Sequence, residues 1–285
     1  MRVALCQIQV SSRQEANLAR VRSALAVAAD HGADLAVFPE GTQVRFGSDL
    51  RAAAEPLDGP FCAGLAAAAK HAGVALVAGV FEPAPDGRVY NTAVAFDCAG
   101  ELAARYRKLH LFDAFGQRES EQVAPGSAPV ICTLAGVRTG LEICYDLRFG
   151  ELSRALSVAG ASLLVLPAAW AAGPLKEEHW VTLVRARAIE NTVWVAAAGQ
   201  VPDPAEPPTR APTGIGRSML VDPLGVVRMD LGPGPAVAVG EVSTELVDTV
   251  RTTVPSLANR RDDVFGNLSA GVGEKAEPEP GQGRG

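Results

Sequence analysis

Apolar residues in the first forty positions follow first the period of a strand and then the period of a helix. Residues 2–9 (RVALCQIQ) alternate around apolar positions, residues 33–40 (ADLAVFPE) form a short apolar run, and both segments predict strands. Between them, apolar side chains recur at helical spacing, and Ser12 and Glu15 indicate a capping box where the helix begins. The helical stripe consists of Leu18, Val21, Leu25 and Ala29. A strand, a helix and a second strand form a βαβ unit, whose parallel sheet is usually covered by helices.

The same two periods continue to residue 230, so strands and helices alternate along most of the chain. Short turns near Cys98-Ala99-Gly100, near Ala135-Gly136 and at residues 222–225 predict three antiparallel hairpins. Residues 201–212 hold five prolines and predict a surface loop. The remaining predicted strands are 74–82, 89–97, 102–108, 137–143, 161–170, 192–199 and the hairpin 217–230, and the remaining predicted helices are 61–72, 176–191 and one that begins at Phe149.

Two segments of the chain resemble each other. Residues 34–40 (DLAVFPE) and residues 162–169 (SLLVLPAA) are apolar strands closed by a proline, and each follows a helix that comes after an earlier strand. This internal similarity predicts two related halves that face one another in a mixed sheet. We therefore expect one domain, residues 1–269, and after it a disordered tail, residues 270–285, which is rich in Gly, Pro and Glu.

The composition is that of a globular protein and excludes several classes of partner. The chain has 285 residues, of which 48% are hydrophobic, enough to bury a large core. A net charge of −6 provides no basic surface for nucleic acid. No run of about 18 apolar residues predicts a membrane helix, and the first residues lack a signal-peptide pattern, so no membrane partner is expected.

The five cysteines predict a reducing compartment and no zinc site. They lie at positions 6, 62, 98, 132 and 144, and no two of them have CxxC spacing. An odd number of scattered cysteines also argues against a disulfide framework. We therefore expect a cytoplasmic protein.

Three polar residues stand at the ends of predicted strands and are candidates for catalysis. Glu40 ends LAVFPE, Lys108 follows LAARYR, and Cys144 ends TGLEIC at a sharp turn into a helix. Ligands of open α/β sheets bind beyond the carboxyl ends of the strands, so these side chains can converge on one site. Each residue also has an ordinary structural interpretation, as a solvated loop charge for Glu40 and Lys108 and as a small buried apolar group for Cys144.

The chemistry of these three groups fits together as acyl transfer. A neighbouring ammonium group favours the thiolate form of a cysteine, which is the nucleophilic form. A partly desolvated glutamate has a pKa raised towards neutrality, so it can take up and return a proton. A lysine can stabilise the negative oxygen of a tetrahedral intermediate. Glu40, Lys108 and Cys144 would therefore suffice to cleave an amide without a metal or a histidine.

Three motifs resemble those of the nitrilase superfamily of carbon–nitrogen hydrolases. They are FPEG (38–41), YRKLHLFD (106–113) and EICYDLRF (142–149), and the resemblance runs from Arg2 to about Val250. It implies an α/β fold, the four-layer α-β-β-α sandwich of that superfamily, with mixed sheets in two similar halves. The longer segments KLHLFDAFGQRES and CYDLRFGELSR are most similar to the Nit branch, which contains omega-amidases and deaminated glutathione amidases.

The resemblance implies a role for each motif residue. Glu40 would be the general base, Lys108 would hold the oxyanion, and Cys144 would attack the amide carbon to give a thioester. The superfamily also has a second glutamate between the lysine and the cysteine, for which Glu119 is the better match and Glu121 the alternative.

Two residues beside the nucleophile are expected to bind substrate. Tyr145 would shape the pocket and lend a backbone donor, and Arg148 would bind a substrate carboxylate through its planar guanidinium. An intramolecular ion pair of Arg148 with Asp146 or Glu151 is an equal alternative. Residues 169–180 (AWAAGPLKEEHW) depart from the branch pattern FNxxTGPAHW, where the resemblance implies that the far end of the substrate binds.

The resulting hypothesis is a cofactor-free amidase. It would hydrolyse the terminal amide of a small carboxylated substrate, a dicarboxylic acid monoamide or a compound like deaminated glutathione, to acid and ammonia. One alternative is an N-carbamoyl amino acid hydrolase with the same three catalytic groups, and another is a catalytically silent partner-binding protein. The resemblance also implies a homodimer or larger homo-oligomer, and no phosphate-binding loop or dinucleotide motif indicates a cofactor.

Overall fold

Two β-sheets lie face to face at the centre of the protein, and helices cover both outer surfaces. The computed structural model describes residues 1–266 and 273–274. Within the predicted tail, 270–285, Gly273–Glu274 forms a short strand. The rest of that tail lies outside the described residues, so its predicted disorder stays a prediction, as does the domain boundary at residue 269.

Sixteen strands and seven α-helices make up the described part of the chain. The strands are β1 (Arg2–Gln7), β2 (Gln9–Val10), β3 (Leu35–Val37), β4 (Ala75–Pro83), β5 (Val89–Phe96), β6 (Leu102–Arg107), β7 (Val123–Ala124), β8 (Val130–Leu134), β9 (Val137–Leu141), β10 (Leu163–Ala168), β11 (Trp194–Gly199), β12 (Val201–Pro202), β13 (Met219–Val221), β14 (Val227–Asp230), β15 (Ala236–Glu241) and β16 (Gly273–Glu274). The α-helices are α1 (Gln14–Asp30), α2 (Leu50–Ala53), α3 (Pro60–Ala72), α4 (Gly150–Val158), α5 (Lys176–Asn191), α6 (Thr244–Thr253) and α7 (Asp262–Phe265). Short 3-10 helices span Glu119–Glu121 and Cys144–Arg148. Among these described helices, none is both long and apolar enough to cross a lipid bilayer.

Each of the two large sheets is mixed, with parallel strands near its centre. The first sheet has the order β15-β1-β3-β4-β5-β6, with β7 beside β5, and its strands β1, β3 and β4 are parallel. The second has the order β14-β13-β11-β10-β9-β8-β16, and its strands β9, β10 and β11 are parallel. Two antiparallel steps separate β4 from β6, so β3 and β6 end at the same edge of the first sheet.

The core between the sheets is built from alternate positions of the strands. In β1, Val3 and Leu5 belong to the apolar cluster between the sheets, whereas Ala4 and Cys6 belong to the cluster under α1 and α3. All four side chains are fully buried. Both faces of the strand are therefore covered, which explains why the strands have nearly continuous apolar sequences.

Helices α4 and α5 cover the outer face of the second sheet, as α1 and α3 cover the first. Leu156, Trp180 and Val184 pack into the apolar cluster that also contains β10 and β11. The α/β class and the four-layer α-β-β-α order expected from the resemblance are confirmed. The single mixed sheet expected from the internal similarity is wrong, because residues 34–40 and 162–169 contribute strands to different sheets.

The three predicted hairpins are present. Strand β5 pairs antiparallel with β6, β8 with β9, and β13 with β14. In the second hairpin, Ala135 and Gly136 have φ values of 45° and 80°, and positive φ at both turn residues matches the twist of the flanking strands. In the third, the Asp222 carboxylate accepts hydrogen bonds from the backbone N–H groups of Leu224 and Val226, which closes the turn.

The capping box predicted at Ser12 and Glu15 is wrong. Helix α1 begins at Gln14, and within the described structure the preceding residue, Arg13, makes no side-chain capping bond. Ser12 instead donates from Oγ to the Glu206 carboxylate at 2.9 Å. A long-range contact therefore takes the place of the local cap that the sequence suggested.

The predicted surface loop, residues 201–212, is tied to the fold and reaches a cavity at the ends of the sheets. Its first residues form β12 beside β2. Further along, Glu206 forms an ion pair with Arg45 at 3.2 Å. The last residues of the loop, Ala211 and Pro212, line the cavity.

Candidate active site

Glu40 lies directly after β3, in a turn that fixes its carboxylate at the sheet edge. Gly41 has a φ of +60°, a left-handed conformation that lets the chain turn sharply. A Cβ atom on Gly79 of β4 would lie 2.4 Å from the Gly41 nitrogen, so only glycine fits behind this turn. The Glu40 carboxylate is buried and accepts a hydrogen bond from the backbone N–H of Ala169 at 2.9 Å. The ends of the two proline-closed strands therefore meet at Glu40.

Lys108 follows β6, and its Nζ atom bridges two carboxylates. It donates to Oε1 of Glu40 at 2.9 Å and to Oε2 of Glu119 at 2.8 Å. Burial would lower the pKa of Lys108, but the charges of Glu119 and Glu40 outweigh burial and hold that pKa well above its usual range. Because an ammonium group has three N–H donors, one donor remains for a ligand.

Of the two glutamates considered for the second acidic position, Glu119 lies in the site and Glu121 lies on the surface. Glu119 accepts hydrogen bonds from Lys108 Nζ, from Asn91 Nδ2 at 2.9 Å and from the backbone N–H of Phe112 at 2.6 Å. The Glu121 side chain is mostly exposed. Only Glu119 is therefore placed to hold the lysine.

Asn91 joins the two glutamates, although it is not among the candidate residues predicted from the sequence. Its Nδ2 atom donates to Oε1 of Glu40 at 2.8 Å and to Oε1 of Glu119 at 2.9 Å. The backbone carbonyl oxygen of Asn91 accepts a hydrogen bond from the backbone N–H of Lys108 at 2.9 Å. An amide side chain within the predicted strand β5 was the available signal, since a buried amide needs polar partners.

Cys144 occupies a strained turn between β9 and α4. Its φ of 45° is left-handed, a conformation that residues other than glycine rarely adopt and that is common at functional sites. It begins the 3-10 helix Cys144–Arg148, and its side chain lines a cavity while remaining only 8% exposed. The sharp turn predicted from the sequence is therefore present.

The thiol of Cys144 is held in its protonated form. Burial raises the pKa of this thiol well above its usual range, the charge of Glu40 raises it further, and the charge of Lys108 lowers it only in part. A hydrogen bond between the thiol and Glu40 also favours the protonated form. The ammonium group of Lys108 favours the thiolate, as expected, but burial and the charge of Glu40 outweigh it, so the thiol stays protonated in the resting protein.

A buried carboxylate ties the nucleophile turn to the segment around Lys108. Asp146 is fully buried and accepts hydrogen bonds from the Tyr106 hydroxyl at 2.8 Å and from the backbone N–H of Ile143 at 2.9 Å. It also accepts from the backbone N–H of His110 at 3.0 Å, and the ring Nδ1 of that histidine lies 2.7 Å away. This network connects the ends of strands from both large sheets.

A cavity of about 230 Å³ opens beside Cys144. Glu40, Lys108 and Glu119 line it together with the two predicted substrate-binding residues. Much of the remaining lining is apolar and consists of Phe46, Leu50, Phe112, Val123, Trp170 and Pro212. Its volume is below the roughly 300–1,000 Å³ of pockets for drug-sized ligands, so the cavity suits a small molecule. Among residues 1–266 and 273–274, no group of three or more His, Cys, Asp or Glu residues could hold a metal ion.

Arg148 lines the cavity and forms no ion pair with the residues that the structure describes, so the alternative pairing with Asp146 or Glu151 is absent there. Its guanidinium carbon lies 5.0 Å from the centre of a Trp170 ring, and Nη2 lies 3.3 Å from Nδ1 of His179. Its buried Nε atom has no hydrogen-bond partner within the described part of the chain. Such a cation is available to an anionic ligand.

Tyr145 lines the cavity and is fixed by two aromatic neighbours. Its ring makes edge contacts with Phe112 at 5.1 Å and with Phe149 at 5.4 Å between centroids. Tyr145 is the second residue of a 3-10 helix, and the first N–H groups of a helix have no acceptor within it. Its backbone N–H is therefore free of the helix and can serve as a donor.

The chain belongs to the carbon–nitrogen hydrolase family. The family model with that description matches residues 2–252, most of the chain. The resemblance to the nitrilase superfamily is confirmed, and the protein is a carbon–nitrogen hydrolase enzyme.

Relatives that span nearly the whole chain include named amidases. A hydrolase of Mycobacterium tuberculosis is 43% identical over 272 residues, which cover 93% of this chain and 97% of the relative. A deaminated glutathione amidase of Escherichia coli is 40% identical over 266 residues, covering 92% and 97%. An omega-amidase of Danio rerio is 32% identical over 272 residues, covering 93% and 96%. These relatives agree with the similarity to the Nit branch.

Solved structures of two related proteins share the fold. Nit3 of Saccharomyces cerevisiae, a member of branch 10 of the nitrilase superfamily, matches with a TM-score of 0.80 at 28% identity, covering 92% of this chain and 96% of that chain. An amidase from Nesterenkonia sp. AN1 matches with a TM-score of 0.77 at 26% identity, covering 94% and 99%. The latter structure is of a glutamate-to-glutamine mutant in which acrylamide has added to the active-site cysteine.

Proposed function

We propose that the protein is an amidase that hydrolyses small carboxylated amides through a thioester on Cys144. The observation that carries this proposal is the contact of one buried carboxylate with both a thiol and an ammonium group. Glu40 lines the cavity beside Cys144, where its charge raises the pKa of the thiol, and it accepts a hydrogen bond from Lys108 Nζ at 2.9 Å. A carboxylate in this position can exchange a proton with the nucleophile while the ammonium group keeps its charge.

In the first half of the proposed reaction, the sulfur of Cys144 attacks the amide carbon while Glu40 takes up the thiol proton. The carbonyl oxygen becomes an oxyanion, which is bound by the remaining N–H of Lys108 and by the backbone N–H of Tyr145. When the tetrahedral intermediate collapses, the C–N bond breaks and Glu40 passes its proton to the leaving nitrogen. Ammonia then departs and leaves an acyl thioester.

In the second half, water attacks the thioester carbon and gives a proton to Glu40. The C–S bond breaks, the carboxylic acid is released, and the Cys144 sulfur recovers a proton from Glu40. Glu119 acts in this scheme as a positioning residue, because it holds Lys108 and, through Asn91, fixes the Glu40 carboxylate.

Three observations support a small substrate that carries a carboxylate. Arg148 lines the cavity without a carboxylate partner in the described structure, and its planar guanidinium suits a carboxylate. The small volume of the cavity, about 230 Å³, favours a short molecule. The relatives named omega-amidase and deaminated glutathione amidase support dicarboxylic acid monoamides or deaminated glutathione as the substrate class.

A panel of amides tests the proposal. The purified protein is incubated with 2-oxoglutaramate, succinamate, deaminated glutathione and an N-carbamoyl amino acid, with Cys144→Ala as the blank, and products are identified by mass spectrometry. We expect turnover of at least one of the first three compounds and none by Cys144→Ala. When the enzyme is mixed with excess substrate and the reaction is quenched in acid, an acyl group should remain on Cys144.

Other outcomes of the panel point to the alternatives. Turnover of the carbamoyl compound alone, with carbon dioxide released beside ammonia, would identify an N-carbamoyl amino acid hydrolase, whose substrate carboxylate Arg148 could equally bind. No turnover of any compound, together with a Cys144 that iodoacetamide does not label, would favour a silent partner-binding protein.

The homo-oligomer and the cytoplasmic location expected from the sequence stay predictions. An exposed apolar group on α5 and the β13–β14 hairpin supports self-association, and it consists of Ile189, Leu224, Val226 and Val227. Light scattering of the purified protein would measure the oligomer.

A further inference from the structure

We propose that Lys176 is a specificity-determining residue that binds the substrate carboxylate together with Arg148. This inference rests on the proposed function for its physiological meaning, although the anion site itself can be tested without turnover. Lys176 is the first residue of α5 and lines the same cavity as Arg148 and Cys144. Lys176 is not among the candidate residues predicted from the sequence.

The ammonium group of Lys176 is surrounded by rings and not by counter-ions. The residue is only 5% exposed, and its Nζ atom lies 3.2 Å from the centre of the Phe115 ring and 5.4 Å from that of Phe112. Within residues 1–266 and 273–274, Lys176 forms no ion pair with a carboxylate. Cation–π contacts stabilise a cation but leave its charge uncompensated.

The acidic side chains nearest in sequence are engaged elsewhere or exposed. Glu177 forms an ion pair with Arg217 at 3.1 Å, and Arg217 also pairs with Asp230. Glu178 is an exposed residue on the first turn of α5. Neither one neutralises Lys176 in the described structure.

Arg148 and Lys176 are close enough to repel each other. Burial lowers the pKa of Lys176, the charge of Arg148 lowers it further, and the charge of Cys144 would raise it. A buried and a partly buried cation on one cavity, neither of them in an ion pair within the described structure, are costly, and a bound carboxylate would relieve both their desolvation and their repulsion. A group that carries one carboxylate is therefore the ligand that this part of the cavity fits best.

The backbone holds Lys176 in this position. The segment before it turns at Gly173 (φ 144°) and at Leu175 (φ 58°), so α5 begins abruptly at the lysine. The Trp170 indole Nε1 donates to the Lys176 carbonyl oxygen at 2.9 Å. This segment belongs to residues 169–180, where the sequence departs from the branch pattern, so the lysine belongs to the part of the chain that differs.

Matched substrates test whether Lys176 recognises the carboxylate. Succinamate and butyramide have the same chain length, but only succinamate carries a carboxylate. In Lys176→Met, we expect kcat/KM for succinamate to fall roughly 10- to 100-fold, as for the loss of a hydrogen bond to a charged group, with KM carrying most of the change. The value for butyramide should stay within about twofold, because methionine keeps the apolar stem beside Phe115.

Two further variants serve as controls. Lys176→Arg keeps the positive charge and should recover most of the succinamate activity. Lys70→Met removes an exposed lysine on α3 that does not line the cavity, and it should change the kinetics with neither substrate. An equal loss on both substrates in Lys176→Met would show that the lysine only anchors the Phe115 segment, and no loss would remove it from recognition; either result overturns the proposal.

Direct binding separates this inference from the proposed function. Calorimetry measures succinate binding to Cys144→Ala, which cannot turn over, and to the double variant Cys144→Ala with Lys176→Met. Binding that weakens at least tenfold in the double variant supports the anion site even if no amide in the panel is hydrolysed. Equal binding by both proteins rules the anion site out even if succinamate is a good substrate.

Discussion

At the scale of single residues, the proposed chemistry depends on the proton of the Cys144 thiol. Burial and the charge of Glu40 keep this proton on sulfur, so the nucleophile forms only when Glu40 removes it. The same carboxylate therefore suppresses the thiolate in the resting enzyme and produces it during attack. A substitution at Glu40 separates the two effects.

In Glu40→Gln, the thiol pKa should fall while turnover is lost. The pKa should fall because the charge of Glu40 and its hydrogen bond both raise it in the native protein. Turnover should decrease by roughly 10²- to 10⁴-fold, as for the loss of a general base. Alkylation of Cys144 by iodoacetamide as a function of pH reports the thiol pKa, and product formation reports turnover.

The alkylation is measured in protein that also carries Cys98→Ser, because Cys98 is exposed and would react with iodoacetamide as well. The buried Cys62 and the partly buried Cys132 are protected, since burial raises the pKa of each thiol to about 12. Native turnover in Glu40→Gln, or a thiol that titrates at higher pH than in the native protein, would contradict the role given to Glu40.

At the scale of elements, the site requires that segments from two sheets keep a fixed spacing. Lys108 follows β6 of the first sheet, and Cys144 follows β9 of the second. Asp146 connects them, because it accepts hydrogen bonds from Tyr106 at the end of β6 and from Ile143 beside the nucleophile. We therefore assign Asp146 a positioning role, and it does not line the cavity.

Asp146→Asn should impair catalysis more than binding. An amide nitrogen cannot accept from the buried donors, so we expect a loss of about 1–3 kcal/mol in the free energy of unfolding. A misplacement of about 1 Å can cost roughly 100-fold in rate, so kcat should fall by up to that factor. KM should change little. Urea unfolding and steady-state kinetics measure the three quantities.

Tyr106→Phe is the matched control for Asp146→Asn, because it removes one donor and leaves the carboxylate with its backbone partners. We expect it to have a smaller effect on kcat. If Asp146→Asn lost stability but kept the native kcat, Asp146 would serve the fold and not the site.

At the scale of the whole molecule, local patterns predicted the strand ends but not the contacts between them. The apolar periods stop at Glu40, Lys108 and Cys144, and this is why the sequence predicts their convergence. The hydrogen bond from Ala169 to Glu40 joins residues 129 positions apart, and no local period encodes such a contact. The net protonation of the thiol could not be predicted for the same reason, because the sequence indicates a lysine near the thiol but not the burial and the Glu40 charge that outweigh it.

Stability of the whole fold should depend on a carboxyl group that the proposed mechanism does not use. Glu142 is fully buried, accepts a hydrogen bond from Ser153 at 2.5 Å, and its Oε2 atom has no partner within the described residues. Burial raises the pKa of Glu142 from 4.5 to about 7; the Ser153 bond opposes this, Asp146 and Glu190 add to it, and Arg187 opposes it.

The sign of the resulting pH dependence follows from proton binding. Between pH 4.5 and pH 7, the folded protein keeps the Glu142 proton that the unfolded chain has released. Raising the pH favours the state that binds fewer protons, so this group lowers the stability of the fold as pH rises through that window. At about 1.4 kcal/mol for each pKa unit, the full cost above pH 7 is on the order of 3 kcal/mol.

Glu142→Gln removes this titration while it keeps an oxygen that can accept from Ser153. Urea unfolding of the variant and the native protein should show the free energy of unfolding shifting in favour of the variant by roughly 2–3 kcal/mol between pH 5 and pH 8. The difference in the free energy of unfolding between variant and native protein must be followed as a function of pH. A value at one pH is not enough, because the new amide nitrogen adds a buried donor whose cost does not depend on pH.

Glu121→Gln, at a mostly exposed side chain, is the control and should show no comparable shift. A pH dependence in Glu142→Gln equal to that of the native protein would mean that Glu142 is ionised in the fold, and the Arg187 guanidinium would then be the group that compensates its charge.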